Sequence, residues 1–71
     1  MYFYRYVNFT TGEENPACGF SEDVSFLRQW AEKTFRRESG KGLCRVELCK
    51  TDSTDPSSNP GNVKICETWE N

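Results

Sequence analysis

Histidine is absent from this 71-residue chain. Its absence removes every Ser-His and Cys-His nucleophilic pair and every imidazole general base. No stretch is long and apolar enough for a membrane helix, and no apolar signal segment follows Met1. No glycine-rich phosphate loop is present either, since Gly40-Lys41-Gly42 reads as a helix end. The four cysteines are spaced Cys18-x25-Cys44-x4-Cys49-x16-Cys66, with no C-x-x-C knuckle. That spacing argues against a zinc site, and thiols packed like small hydrophobes are expected. The paired acids Glu13-Glu14 and Glu22-Asp23 fall in a connection and at a helix start, where solvation and the helix dipole account for them. The chain is therefore expected to be no enzyme, with no cofactor and no metal. It is also expected to be a complete intracellular product, so that the sequon Asn8-Phe9-Thr10 would matter only after secretion.

Apolar residues are scarce as well, at 35% of the chain with a mean hydropathy of −0.80. One domain over residues 1–71 with a thin core follows from that length. Ten aromatic residues compensate, because each ring buries a large area. The net charge of −2 conceals a segregation. Residues 1–23 carry one base against four acids, residues 24–50 seven bases against three acids, and residues 51–71 one base against four acids. A dipolar surface of this kind steers association, and the acidic balance weighs against nonspecific binding to phosphate backbones.

The aromatic opening MYFYRYVNF predicts a strand over about residues 2–10. A polar connection with Gly12 and Pro16 as breakers follows. Ser21 as N-cap, Glu22 and Asp23 in the first turn, bases near the far end and Gly40 as a left-handed stop predict a helix over about residues 22–39. Alternation predicts strands over about 42–50 and 62–69, joined by a mobile loop over 51–61. The expected architecture is α+β, β-α-β-β: a three-stranded, mainly antiparallel sheet with one helix packed on one face. The first strand is expected beside the last, antiparallel; the alternative sets it parallel to strand 42–50 through a crossover.

At 100° per residue, Val24, Leu27, Ala31 and Phe35 form the core stripe of the helix. Phe26 and Trp30 fall well around from it, beside Lys33 and Arg37. Either they cover the edge of the sheet, or they form a partner-binding patch of rings flanked by bases. In the strands, Cys44, Val46 and Leu48, and Val63, Ile65 and Trp69, are expected to face the helix. Arg45, Glu47, Cys49, Lys64, Cys66 and Thr68 would make a wet opposite face. In the first strand, Phe3, Val7 and Phe9 fit the core, which leaves Tyr2, Tyr4 and Tyr6 on the face that one helix cannot cover. Arg5 keeps the inverse open, with the tyrosines inside. Two registers compete for the last hairpin: one brings Cys49 opposite Cys66, the other pairs Val46 with Ile65 and Glu47 with Lys64.

In format, with its Met1 start, β-α-β-β layout and acidic clusters Glu13-Glu14, Glu22-Asp23, Glu67 and Glu70, the chain resembles the small stand-alone inhibitors that phages and mobile elements encode, anti-CRISPR proteins above all. The resemblance implies a stoichiometric inhibitor of a host nucleic-acid-processing complex, acting in the bacterial cytoplasm. Two mechanisms fit: carboxylates of Glu13, Glu14, Glu22, Asp23, Asp52, Asp55, Glu67 and Glu70 imitating DNA phosphates, or the rings Tyr2, Tyr4, Tyr6, Phe26 and Trp30 blocking a protein surface. The alternatives are an RNA- or single-stranded-DNA-binding module that stacks bases on the open sheet face, and a structural subunit or homodimer that uses that face.

Overall fold

The computed structural model describes residues 1–55 and 61–71. Five elements follow one another: β1 (Tyr2–Asn8), β2 (Glu14–Ser21), α1 (Val24–Ser39), β3 (Cys44–Thr51) and β4 (Val63–Glu70). The four strands make one sheet in the order β2-β1-β3-β4, antiparallel at every pairing. The α+β class and the helix-on-sheet layering match the sequence pattern, but the sheet has four strands, not three.

The additional strand is β2, inside the segment expected to be a polar connection. Pro16 and Gly19 hide it, and so do two bulges. Across Tyr2–Tyr4–Tyr6 on β1, the partners on β2 are Ser21, Cys18 and Asn15, so β2 twice uses three residues against two. Each extra residue breaks the alternation that marks a strand. An edge strand tolerates the proline. Gly19 has φ +70°, and a Cβ placed there would stand 2.6 Å from Cε1 of Tyr4 and 3.0 Å from Cδ2 of Leu27. Only glycine combines that backbone with that approach.

β2 also explains why the expected strand order fails. The β1–β2 hairpin reverses the chain once, and the helical crossover returns it parallel to β2. The strand after the helix is therefore antiparallel to β1 and lies beside it, with Tyr2 opposite Lys50 and Asn8 opposite Cys44. Neither expected arrangement of β1 holds. It is an inner strand, antiparallel to β3 rather than parallel, and it does not touch β4.

α1 starts slightly later than the sequence suggests. Asp23 is the N-cap, its carboxylate accepting from the Phe26 N–H at 3.1 Å. Ser21 instead accepts from the Asp23 N–H at 3.0 Å, and Glu22 pairs with the N-terminal ammonium at 3.5 Å. Gly40 closes the helix in a right-handed conformation, φ −69°. The buried stripe is Leu27, Ala31, Thr34 and Glu38, with Val24 and Phe35 only half-buried at its margin. The helix is thus rotated from the orientation its apolar pattern suggests, because a charged residue belongs to the core line.

That residue, Glu38, is sealed at 0% exposure. Arg37 Nε donates to its Oε2 at 2.9 Å, Lys41 Nζ stands 3.3 Å away, and Asn8 Nδ2 donates to its Oε1 at 3.3 Å. Asn8 is sealed too, and its own Oδ1 accepts from the Thr10 and Thr11 N–H groups. One buried amide therefore joins β1, the β1–β2 turn and the end of α1. The same burial withholds the sequon asparagine from modification in the folded chain.

The faces of β1 are the inverse of the first expectation. Asn8, Tyr6 and Tyr4 lie under α1, opposite Cys44, Val46 and Leu48, which are buried as expected. Phe3, Arg5 and Val7 lie on the open face. Arg5 decides it: its guanidinium reaches its cross-strand neighbour Glu47 at 2.9 Å on that face. Phe3 is nonetheless 2% exposed, because Phe20 of β2 tilts against it with ring centroids 6.1 Å apart. Cys49, expected on a wet surface, is buried beside it, whereas Phe9 is exposed rather than in the core.

β4 holds a further correction. From Glu70 to Glu67 it follows the register that would oppose Cys49 to Cys66, but a bulge then sets Ile65 opposite Cys49. Cys66 is the extra residue. Trp69 shares the helix face with Val46, while Val63 and Ile65, past the bulge, turn to the open face with Thr51 and Cys49. By the same shift Lys64 leaves the open face and stands opposite Lys50. Neither sequence register holds throughout, and all four cysteines are free thiols. Of the loop expected over 51–61, residues 56–60 lie outside the described residues. At its base the Asp52 carboxylate accepts from the Asn62 N–H at 2.9 Å and from Asn62 Nδ2 at 3.0 Å.

Candidate functional site: the outer flank of the helix

With Leu27, Ala31, Thr34 and Glu38 facing the sheet, 100° per residue sends two rows of side chains to the flanks. Arg28 lies on one flank and reaches β4, donating to Glu67 at 2.7 Å. Phe26, Trp30, Lys33 and Arg37 form the other row, a turn apart, running toward the C-terminal end of α1. Arg37 stacks its guanidinium over the Tyr6 ring, 5.6 Å from the centroid. Phe26 and Trp30 meet edge to face, with centroids 6.2 Å apart and planes at 69°. Lys33 Nζ stands 5.1 Å from the Trp30 centroid.

These two rings remain 49% and 46% exposed. They contact each other edge to face. Two large rings in a T-shaped contact, with Lys33 over Trp30 and Arg37 a turn farther along the row, have the composition of an interface anchor.

The tyrosines do not join it. Tyr4 is pinned between β1 and α1, where burial first, and then the neighbouring Cys18, pushes its hydroxyl above the usual phenol range against an opposing hydrogen bond with Thr34. The Tyr6 hydroxyl donates to Glu13 at 3.2 Å. Lys50 stands over the Tyr2 ring at 5.7 Å. Each of the three rings is occupied inside the molecule, on the helix side. The expectation of a tyrosine row on the open face is therefore corrected: the three rings lie on the helix side.

The eight candidate carboxylates are scattered. Glu13 faces Lys41 at 3.9 Å, Glu67 holds Arg28, Glu70 stands 3.9 Å from Arg45, and Glu22 meets the N-terminus. Asp23 caps α1 and Asp52 closes the β3–β4 loop, where the Asn62 N–H keeps its carboxyl below the usual range. Glu14 projects from the edge strand opposite Val7, and Asp55 lies in the loop beyond β3. Most of these groups serve internal contacts instead of forming a free negative stripe.

The open face divides into two halves. Phe20, Phe3, Cys49 and Ile65 make an apolar row across all four strands. Toward the other end lie the Arg5–Glu47 pair and Arg45, whose guanidinium stacks over Phe9 at 5.4 Å. A cleft of about 210 Å³ opens among Arg5, Arg45, Glu14 and Glu47. It is smaller than the roughly 300 Å³ at which small-molecule sites begin, and its cations and carboxylates balance. The Phe9–Arg45 stack had no signal in the sequence, since its partners lie on opposite sides of the helix in chain order. Among the described residues no group of three carboxylate, cysteine or histidine side chains is arranged to hold a metal ion. No helix among them is long and apolar enough to cross a membrane. Comparison with protein-family models, curated proteins and solved structures finds no match to this chain.

Proposed function

We propose that this chain is a small non-catalytic binding protein that docks the Phe26–Trp30 flank of α1 on an apolar, negatively edged surface of a larger partner. The half-exposed, edge-to-face ring pair with Lys33 over Trp30 carries the reading. In line with the anti-CRISPR-like format, the partner is a bacterial host complex that processes nucleic acid, and the chain inhibits it in the cytoplasm by occupying that surface. Surface blocking is favoured over DNA mimicry because the carboxylates that mimicry needs are spent on Lys41, Arg28, Asn62 and the helix cap.

Pull-down of the tagged chain from a host lysate, with and without nuclease, tests it. A nuclease- or helicase-containing complex should be recovered in both conditions. Recovery should fall at least about thirtyfold for the Phe26→Ser/Trp30→Ser variant, the loss typical of two anchor rings. Retention on bare nucleic acid that is lost at high salt would instead assign the RNA- or single-stranded-DNA-binding alternative. A chain that recovers no partner would leave the structural subunit.

A further inference from the structure

The sheet has two free edges, and they are built differently. β2 is interrupted by Pro16 and by two bulges, devices that stop a further strand from pairing. β4 contains no proline over Val63–Glu70 and a single bulge, at Cys66, and it exposes six of its eight residues. Its charges are asymmetric, with Lys64 near the start and Glu67 and Glu70 near the end. Within the chain Lys64 stands directly opposite Lys50, a like-charged cross-strand pair, and among the described residues it has no ion-pair partner.

We infer that the β4 edge pairs antiparallel with the β4 edge of a second copy of this chain, joining two four-stranded sheets about a two-fold axis. The register follows from the faces. Lys64, Glu67 and Trp69 point to the helix side, and Val63, Ile65, Thr68 and Glu70 to the open side. Directly opposed residues of antiparallel strands share a face. Two close registers satisfy that rule for β4 against itself. One opposes Lys64 to Trp69 and sets Val63 against Glu70, an apolar side chain against a carboxylate. The other opposes Lys64 to Glu67 of the copy and Val63 to Thr68 of the copy, and the two-fold repeats both pairs.

The second register is the one charge complementarity selects. It brings a carboxylate to the Lys50–Lys64 pair on both sides of the axis. Glu67 accepts from Arg28 at 2.7 Å with one oxygen and retains acceptor sites for the incoming ammonium. The bulge favours a second copy over an unrelated flat strand. In this register Ile65 opposes Cys66 of the copy, so the two identical bulges meet at the axis and pairing stays in step on either side. The pairing leaves the Phe26–Trp30 flank exposed in both copies and does not depend on the function proposed for it.

Light scattering across a concentration series, with charge exchange, is the test. The wild-type chain is expected to shift from 8.2 kDa to twice that mass as concentration rises. Lys64→Glu and Glu67→Lys should each weaken the dimer at least about tenfold, since each creates two like-charged pairs. Mixed in equal amounts, the two variants should form a 1:1 dimer, because each of its two cross-strand pairs again sets one acid against one base. In the wild-type chain, amide protection over residues 63–70 should rise with concentration, a readout that needs no variant. A wild-type chain that stays monomeric to millimolar concentration overturns the inference. So does a K64E dimer as tight as the wild type, or protection that is independent of concentration.

Discussion

Glu38 is a sealed carboxylate held by three neighbours. Burial alone would push its carboxyl up, but hydrogen bonds from Arg37, Lys41 and Asn8 outweigh burial and hold it below the usual carboxylate range. Its folded pKa is thus depressed, so its contribution is complete above the unfolded value of about 4.3 and is lost as pH falls through the folded value. Glu38→Gln keeps the shape and removes the charge. It should cost about 1–2 kcal/mol in urea unfolding at pH 7, with the difference from the wild type shrinking below about pH 4. A difference that stays constant from pH 7 to pH 3 would remove the charge from the account. The thiols divide in the same residue-by-residue way. Cys49 is fully buried, and burial pushes its thiol up to about 11; Cys44 is likewise buried and raised. Cys66 is exposed on β4. A disulfide reagent should modify Cys66 first, with Cys44 and Cys49 at least about a hundredfold slower and limited by opening of the fold.

Among the elements, β2 concentrates the backbone demands. Gly19→Ala would place a methyl against Tyr4 at a left-handed φ and should cost about 2–3 kcal/mol. For a chain of this size that lowers the thermal midpoint by roughly 10 °C or more. Gly12→Ala sits at a similar φ with open space around it, and it should cost less, because only the backbone strain remains. Along α1 the expectation is reversed. Phe26→Ser/Trp30→Ser should leave stability within about 1.5 kcal/mol of the wild type, since both rings are half in water. A larger loss in urea unfolding would mean that the rings support the fold instead of presenting a surface. The helix was legible because its ends carry cap chemistry, and β3 because Cys44, Val46 and Leu48 alternate cleanly. β2 was not, because two bulges and a proline erase its period. The face of β1 was undecided by periodicity, since Phe3-Arg5-Val7 and Tyr2-Tyr4-Tyr6 fit a pleat equally well; Arg5 and its partner Glu47, 42 residues away, settle it. The face of β4 changes at Cys66, and no count by twos passes through a bulge. The Phe26–Trp30 flank was visible as an off-stripe pair, but its exposure was not.

At the scale of the whole molecule the charge blocks find an internal use. Arg28–Glu67, Arg45–Glu70 and Lys41–Glu13 each join the basic middle of the chain to one of its acidic ends. These are surface pairs, individually weak and open to screening. The thermal midpoint should therefore fall by a few degrees between low salt and about half-molar sodium chloride, as measured by circular dichroism. A rising midpoint would mean that repulsion within the acidic ends outweighs these pairs.

The inner position of β1 has a consequence for how the chain is made. Within these residues the strand made first is one that ends inside the sheet. Its second partner, β3, closes with Tyr2 against Lys50 and with the Thr51 N–H donating to the Met1 carbonyl. A β1–β2 hairpin therefore keeps the β1 edge unpaired until α1 and β3 have followed it out of the exit tunnel. During that interval Arg5 has no Glu47, and its charge, at the middle of an aromatic strand, is the chief obstacle to premature pairing with another nascent chain.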